Sequence, residues 1–245
     1  MENPNIRKDE VLEKLGLAEY YILQKKEGYR FTIDPILLAG FAETGYHDKI
    51  LDLGTGGGIL PFLLQKNNPE KDLTITGIDI QREYIEMALR SKIINKTDSI
   101  NFLEMDIKNI PANFRNSFNV IITNPPFFKV NEGKINQKKE IALARHELEV
   151  SFLQIIKAAT FSLKDNGKFY FIHRSERLME IGRALSQEGL SISRLRLIYN
   201  DEKTPSKLFL GEAVKRKNPQ LKVLPPLIIY DDKGNYKEEV RCLYD

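Results

Sequence analysis

The motif Asn124-Pro125-Pro126-Phe127 has the residue types best suited to hold a planar group that carries an NH2. An exocyclic amine conjugated to a ring is a poor nucleophile, because its lone pair is delocalised. Two acceptors aimed at its hydrogens would turn that lone pair outward. The side-chain carbonyl of Asn124 and the backbone carbonyl of Pro125 can supply them. The prolines stiffen the loop, and Phe127 offers a face on which a planar base can stack. The motif predicts catalysis on an amine, with no strong general base required.

A glycine-rich turn lies upstream, with Gly54, Gly56 and Gly58 at alternate positions behind Asp52. Small residues at such a turn let the backbone approach a ligand closely. A dinucleotide fingerprint needs its third glycine five positions after the first, where this chain has Ile59, so that match fails. The spacing instead resembles motif I of the S-adenosylmethionine-dependent methyltransferases. Their cofactor has no pyrophosphate and needs a cradle only for a ribose and an amino-acid tail.

Acidic residues end three successive predicted strands, where open α/β sheets bind their ligands. Asp52 is a candidate partner for the ammonium group of S-adenosylmethionine, directly or through water, and Asp79 for the two ribose hydroxyls. Asp106 is placed for the adenine amine. A lone aspartate at such a position is more often a solvated strand end or a helix N-cap. Three of them behind a glycine turn favour binding, and the predicted cofactor site also includes the neighbouring Ile80 and Ile107.

The elements that must position these residues alternate from residue 49 onward, which predicts a doubly wound α/β fold with a mostly parallel sheet covered on both faces. The predicted strands are residues 50–53, 73–80, 100–105, 120–123 and 168–173, and the predicted helices are residues 59–67, 82–95, 147–163 and 176–187. Gly189 is placed to end the last helix. Residues 195–199 and 208–214 predict an antiparallel pair at one sheet edge. Residues 227–230 and 236–240 predict a terminal hairpin or an irregular tail.

The first 48 residues precede this alternation and are predicted to form a short extension, with residues 49–245 as the methyltransferase domain. Within the extension, residues 9–19 predict a helix and residues 20–31 a strand and turn. Residues 33–41 predict a second helix, because Pro35 suits a first helical turn.

Composition favours a cytoplasmic protein. No apolar stretch approaches the roughly 20 residues that cross a bilayer, so no membrane contact is expected, and the amino terminus has no signal-peptide core. A single cysteine, Cys242, can form neither an internal disulfide nor a zinc cluster, so no metal is expected. Net charge is only +3, which does not identify a nucleic-acid binder. Local lysine clusters could meet phosphates or form solvated faces; they occupy residues 129–139, 203–207 and 215–217.

Further segments narrow the resemblance to a bacterial tRNA (adenine-N6) methyltransferase family that acts beside the anticodon of valine tRNA. The matching segments are residues 28–34, 36–39, 144–147, 173–178, 225–227 and 230–231. The resemblance covers nearly the whole chain. It implies a class I, Rossmann-like fold, with S-adenosylmethionine as cofactor and RNA, most of all tRNA, as partner.

The same resemblance suggests roles for residues outside the two main motifs. It lays the amino-terminal extension over the cofactor, where Asp34 would hold the amino-acid end, and it adds Asn124 to the cofactor site. Arg145 and His146 would lie near the catalytic pocket, although a histidine there is equally well an ordinary helix-start residue. The pair at residues 173–174 would either contact RNA phosphate or be structural.

Other substrates remain open at this point, because Asn-Pro-Pro-Phe resembles motif IV of amino-group methyltransferases in general. One alternative is the glutamine amide of a translation termination factor, although that family has a helical amino-terminal domain for which 48 residues are too few. Guanine-N2 methylation of ribosomal RNA and adenine methylation of DNA both commonly involve a further domain, and none is visible here. A catalytically dead cofactor-binding scaffold is the alternative outside enzymes.

Overall fold

The computed structural model describes residues 6–16, 20–27, 32–125, 151–216 and 219–244. The strands are β1 (Glu10–Lys14), β2 (Tyr21–Lys25), β3 (Lys49–Leu53), β4 (Thr74–Asp79), β5 (Ile100–Glu104), β6 (Phe118–Thr123), β7 (Leu163–Arg174), β8 (Ser191–Tyr199), β9 (Leu208–Val214), β10 (Lys222–Val223) and β11 (Leu227–Ile228). The α-helices are α1 (Asp34–Phe41), α2 (Ile59–Asn67), α3 (Arg82–Asn95), α4 (Phe152–Ser162), α5 (Leu178–Gln187) and α6 (Glu238–Tyr244). Short 3-10 turns cover Ile107–Asn109, Ala112–Phe114 and Ser175–Arg177.

Nine strands form one sheet in the order β10-β8-β9-β7-β6-β3-β4-β5, with β11 also paired to β8. Strand β9 runs antiparallel to both of its neighbours, β7 and β8, and the other recorded pairs of this sheet are parallel. The predicted fold class and the antiparallel pair are therefore confirmed. The pair is not the edge, however, because β10 and β11 extend the sheet beyond β8.

Each face of the sheet has its own apolar core. Strand side chains alternate between the faces, as in β6, where Val120 and Ile122 join one core and Ile121 the other. Helices α1, α2, α3 and α6 cover the first face, and α4 and α5 cover the second. Both faces are buried, so the strands at the centre of the sheet are apolar almost throughout.

The prediction of a helix over residues 9–19 is wrong, because β1 and β2 form an antiparallel hairpin. Side chains of α3 complete the outer edge of β2. The Leu23 amide donates to Ser91 Oγ at 2.9 Å, and Asn95 bonds both the amide and the carbonyl of Tyr21, at 2.8 and 2.6 Å. These long-range bonds hold β2 in place, and pairing with β2 overrides the local helix propensity of β1. The bonds were not visible in the sequence pattern.

A buried ion pair also ties the hairpin to α3. The Glu10 side chain is fully buried and accepts two hydrogen bonds from the Arg90 guanidinium, at 2.6 and 2.5 Å. The Arg90 hydrogen bond, opposed by burial, lowers the pKa of Glu10. The hairpin is therefore docked on α3 by specific polar contacts.

In the carboxyl-terminal half one prediction is confirmed and two elements differ from prediction. Helix α5 ends as predicted just before Gly189, which has φ of +79°, and the Leu190 amide donates to the Leu185 carbonyl to close the turn. The predicted terminal hairpin is reduced to one antiparallel bridge between Tyr230 and Tyr236, and α6 replaces its second strand. Helix α4 begins after a capping box at Ser151, so it is shorter than predicted within the described residues.

We expect Arg90→Gln to lower the free energy of unfolding by about 3 kcal/mol, because it leaves the buried Glu10 carboxylate without its cation. The folded-state pKa of Glu10 lies below its ordinary value of 4.5, so this stabilisation is present above that pH and is lost as pH falls through the folded-state pKa. Denaturant unfolding at several pH values measures both effects.

The matched control is Arg82→Gln on the same helix, because Arg82 is 77% exposed and its pair with Glu86 is solvated. It should change stability by about 0.5 kcal/mol or less. Equal losses in the two variants would show that the Glu10–Arg90 pair does not dock the hairpin.

Candidate functional site

The predicted site residues meet where the parallel strands end. Strands β3 and β6 are neighbours in the sheet, and Asp52 is in register with Ile122. The Thr123 hydroxyl donates a buried hydrogen bond of 2.7 Å to the Leu53 carbonyl. Thr123 immediately precedes Asn124, and Leu53 immediately precedes the glycine turn. This one bond therefore fixes the two motifs relative to each other, and the sequence reasoning did not identify it.

The glycine turn needs its glycines for two different reasons. Gly54 and Gly56 have φ of +74° and +53°, and a Cβ at either would meet no atom within 4 Å, so both border open space. Gly58 has φ of +85°, and a Cβ there would lie 2.6 Å from the Phe102 ring and 3.2 Å from the Ala88 Cβ. The first two glycines leave room for a ligand, whereas Gly58 also allows α2 to pack closely against the core.

Asp52 is the most unusual residue of the site. It is 0% exposed, and among the described residues neither of its carboxylate oxygens has a hydrogen-bond partner, nor has the buried Thr55 hydroxyl beside it. Burial raises the pKa of Asp52 to about 7; the nearby Thr55 hydroxyl opposes this shift, and the charge of Asp79 adds to it. A buried carboxyl without partners is costly unless a ligand satisfies it. The ammonium group of an amino-acid tail has the charge and the donors to do so.

Asp79 does more than the sequence predicted. Its Oδ2 accepts from the Gly56 amide at 2.9 Å, and its Oδ1 accepts from the Gln81 amide at 2.8 Å. Burial raises the pKa of Asp79, and these backbone hydrogen bonds lower it again. The carboxylate therefore holds the glycine turn in shape. Each oxygen can accept a second bond, so capacity remains for ribose hydroxyls.

The other predicted cofactor residues lie just after β4, just after β5 and in α1. Asp106 caps a 3-10 turn by accepting from the Lys108 amide at 2.9 Å. Ile80 is 47% exposed beside Asp79 and offers an apolar face, whereas Ile107 packs against the core under α4. Asp34 lies in the first turn of α1, where burial raises its pKa.

The structure describes only the first two residues of the Asn-Pro-Pro-Phe motif. Asn124 is half-buried and Pro125 is buried, directly after β6. Pro126 and Phe127 lie outside the described residues, as do Arg145, His146 and the lysine cluster at 129–139.

The structure favours a structural role for His173. It is 1% exposed, its Nδ1 accepts from the Arg174 amide at 2.8 Å, and its ring meets Phe152 edge-on. Burial, aided by the charge of Arg177, lowers the pKa of His173 to about 4, so the ring is neutral at pH 7. A buried neutral imidazole is poorly placed to bind an RNA phosphate.

Lys215 and Arg216 lie at the wrong end of the sheet for the predicted RNA contact, and residue 217 lies outside the described residues. Both follow β9, which runs antiparallel to β7, so they lie at the end of the sheet opposite the glycine turn. Lys215 Nζ donates to Asn116 Oδ1, the Thr160 carbonyl and the Leu163 carbonyl, at 2.8, 3.0 and 2.9 Å. Lys215 is therefore used inside the fold, and the prediction that the cluster surrounds the pocket is wrong for these two residues.

Comparison with known proteins adds a family to this geometry. A family profile described as a methyltransferase domain matches residues 45–215. A tRNA1(Val) (adenine(37)-N6)-methyltransferase of Histophilus somni is 28% identical over 94% of this chain and 95% of its own. The relative of the same name from Haemophilus influenzae is 26% identical over 93% of this chain and 94% of its own. A crystal structure of a predicted O-methyltransferase from Agrobacterium tumefaciens superposes with a TM-score of 0.68 at 21% identity, covering 86% of this chain and 95% of that one.

No helix in the described ranges is long and apolar enough to cross a membrane. No three histidine, cysteine, aspartate or glutamate side chains in those same ranges are grouped so that they could hold a metal ion.

We expect Asp52→Asn to change the pH dependence of stability. In the folded protein the Asp52 carboxyl keeps its proton up to a pKa of about 7, against an ordinary value of 3.8. The folded state therefore binds more protons than the unfolded state between these values, and the stability of the parent protein falls as pH rises through that window. Asparagine removes this loss, so the variant should gain on the parent by up to about 4 kcal/mol between pH 4 and pH 8.

Thermal and denaturant unfolding without ligand would measure this difference. Asp72→Asn is the control, because the Asp72 side chain is 81% exposed. Parallel stability curves for Asp52→Asn and the parent across this pH range would show that Asp52 is not a strained carboxyl.

Proposed function

The chain belongs to the methyltransferase-domain family, and we propose that it methylates the N6 amino group of an adenine in tRNA. S-adenosylmethionine is the methyl donor that methyltransferase domains of this fold imply. The observation that carries the proposal is the hydrogen bond between Thr123 and Leu53, which places Asn124 directly beside the glycine turn. The residue that we assign to the amine and the turn that we assign to the nucleoside thus follow adjacent strands.

The residues around the turn fit the proposed donor. The unpartnered Asp52 carboxyl would face its ammonium group, and the open space at Gly54 and Gly56 would admit its amino-acid tail. Asp79 would use its remaining acceptor capacity for the ribose hydroxyls, with the exposed Ile80 against the adenine ring. Asp106 would accept from the adenine amine, and Asp34 would lie toward the amino-acid end.

The donor supplies an activated methyl group on a sulfonium, so the protein has mainly to hold the acceptor in line with it. We assign this task to Asn124, with the Pro125 carbonyl as the second acceptor for the amine hydrogens. Because Pro125 is buried and is followed by a second proline, its ψ is restricted to extended values, which limits the direction of its carbonyl before the substrate binds. Phe127 would stack on the target base, and the amine proton would leave after attack.

The amino-terminal extension would form one wall of the donor site. A Cβ on Gly57 would lie 3.5 Å from the Leu23 carbonyl, so strand β2 passes beside the glycine turn. The docking contacts of Ser91, Asn95 and Arg90 hold β2 there. We therefore divide the chain into this wall, residues 1–48, and the methyltransferase domain, residues 49–245.

The choice of tRNA is supported by the relatives that match over more than nine-tenths of the chain and are named for adenine-N6 methylation of a tRNA. An adenosine in a loop is accessible to such a site, because it can be unstacked and turned outward at low cost. A tRNA substrate would place the reaction in the cytoplasm.

We expect Asn124→Ala to retain binding of S-adenosylmethionine within about threefold and to lower kcat by a factor on the order of 100 or more, because the lost acceptor acts on the reacting amine. Calorimetry would measure binding, and single-turnover methyl transfer would measure the rate. Asp79→Ala should instead weaken cofactor binding, because the Asp79 carboxylate is assigned to the ribose hydroxyls. Undiminished turnover in Asn124→Ala would remove Asn124 from the reaction.

The direct test of the activity is transfer of labelled methyl from S-adenosylmethionine to bacterial RNA that lacks its native modifications. Mass spectrometry of the nucleosides should find N6-methyladenosine in the tRNA fraction. Label in protein with none in RNA would contradict the proposal and favour a glutamine substrate; N2-methylguanosine would contradict the choice of adenine.

A further inference from the structure

The edge of the sheet that holds the glycine turn continues well beyond Asn124. Strand β8 runs parallel to β6 and β7 through the intervening antiparallel β9, and β11 runs parallel to β8. The carboxyl ends of β8 and β11 therefore lie at the same edge as Asn124. The backbone amides of Ile229 and Tyr230 donate hydrogen bonds to the carbonyls of Tyr199 and Asn200, at 2.9 and 2.8 Å, and so extend the ladder to that edge.

A stack of three tyrosines stands at the far end of this edge. The rings of Tyr230 and Tyr236 are 5.2 Å apart and nearly parallel at 16°, and Tyr236 stacks in turn on Tyr244 at 5.5 Å and 25°. Tyr230 has Tyr236 as its one recorded ring neighbour among the described residues and is 36% exposed, so part of its side chain is accessible to a further ring.

The space beside Tyr230 is a cavity of about 840 Å³, lined by both Tyr230 and Arg241. Asp231 also lines it, but its carboxylate is occupied by the amides of Lys233 and Asn235, each at 2.9 Å. These bonds hold the loop between Tyr230 and Tyr236 in one shape. An aromatic ring and a guanidinium that line the same cavity match the base and the phosphate of one nucleotide.

Cations along this stretch of the edge could meet phosphate groups. Three exposed cations, Lys207, Lys233 and Arg241, have no carboxylate partner among the described residues. Two acidic groups of the neighbouring loops are paired with other cations, Glu202 with Lys237 and Asp232 with Lys203. Asp201 and Asp231 accept from backbone amides and keep their negative charge, so a phosphate would have to contact the three cations away from these carboxylates.

We propose that Tyr230 and Arg241 form a second RNA-binding site, which stacks an unpaired base of the same tRNA whose adenine is held at Asn124. This inference rests on the proposed function and adds a specificity-determining contact to it. Four inter-strand steps separate β6 from β11, which corresponds to about 19 Å. The site would therefore contact nucleotides outside the target adenosine and help to select a folded RNA over a free nucleoside.

Equilibrium binding to a pool of unmodified tRNA transcripts, with the cofactor present, would test the site. We expect Tyr230→Ala to weaken tRNA binding about tenfold, because base–aromatic stacking is lost, and to raise the KM for tRNA with kcat unchanged. Tyr230→Phe keeps the ring face and should bind within about twofold of the parent. Arg241→Gln should weaken binding and reduce the slope of log K against log salt by about 0.7 to 0.9.

The matched control is Tyr46→Ala, because Tyr46 is 68% exposed just before β3, at the opposite edge of the sheet. Equal tRNA affinity in Tyr230→Ala and Tyr46→Ala would overturn the site. So would a loss in Tyr230→Phe as large as that in Tyr230→Ala, since the hydroxyl rather than the ring face would then matter.

The two proposals fail separately. A parent protein that binds tRNA without producing N6-methyladenosine contradicts the proposed function, whereas the Tyr230 comparison still decides this site. A parent protein that produces N6-methyladenosine while Tyr230→Ala binds tRNA normally contradicts this site alone.

Discussion

The buried carboxyl of Asp52 is the constraint on which the site depends. The fold holds this group fully buried at the end of a central strand, and burial raises its pKa to about 7. Such a residue opposes folding. Its position is understandable if the stability lost there is recovered when a positively charged ligand binds. Strain of this kind is common at functional sites, where the surrounding structure holds it in place.

The surrounding structure meets this need with backbone bonds. Asp79, on the next strand, accepts from the Gly56 amide and so shapes the turn that follows Asp52. Thr123, on the other neighbouring strand, donates to the carbonyl that precedes the turn. The proposed donor and acceptor sites therefore lie on three adjacent parallel strands, and their spacing is set by the sheet. The same edge continues to Tyr230, so one geometric element can place the cofactor, the target base and a more distant part of the RNA.

The sequence predicted the features that depend on local pattern. Alternating apolar runs gave the parallel core, and Gly54, Asn124 and their neighbours marked the edge where ligands bind. The helix expected over residues 9–19 failed because residues 10–14 pair with β2, which Ser91 and Asn95, some 70 residues later, hold in place. His173 and Lys215 were judged by residue type, whereas their roles follow from burial and from the direction of β9. Thr123 could have been suspected only from the pairing of β3 with β6, which spacing alone does not reveal.

Calorimetry of S-adenosylmethionine binding at pH 6.5, repeated in buffers of different ionisation enthalpy, tests the role of Asp52 most directly. At this pH a carboxyl with a pKa of about 7 is roughly three-quarters protonated. If Asp52 ionises to meet the ammonium group, binding should release about 0.7 proton, and Asp52→Asn should bind weakly without that release. The account would be contradicted if the parent protein released no proton on binding S-adenosylmethionine, or if Asp52→Asn released as much as the parent.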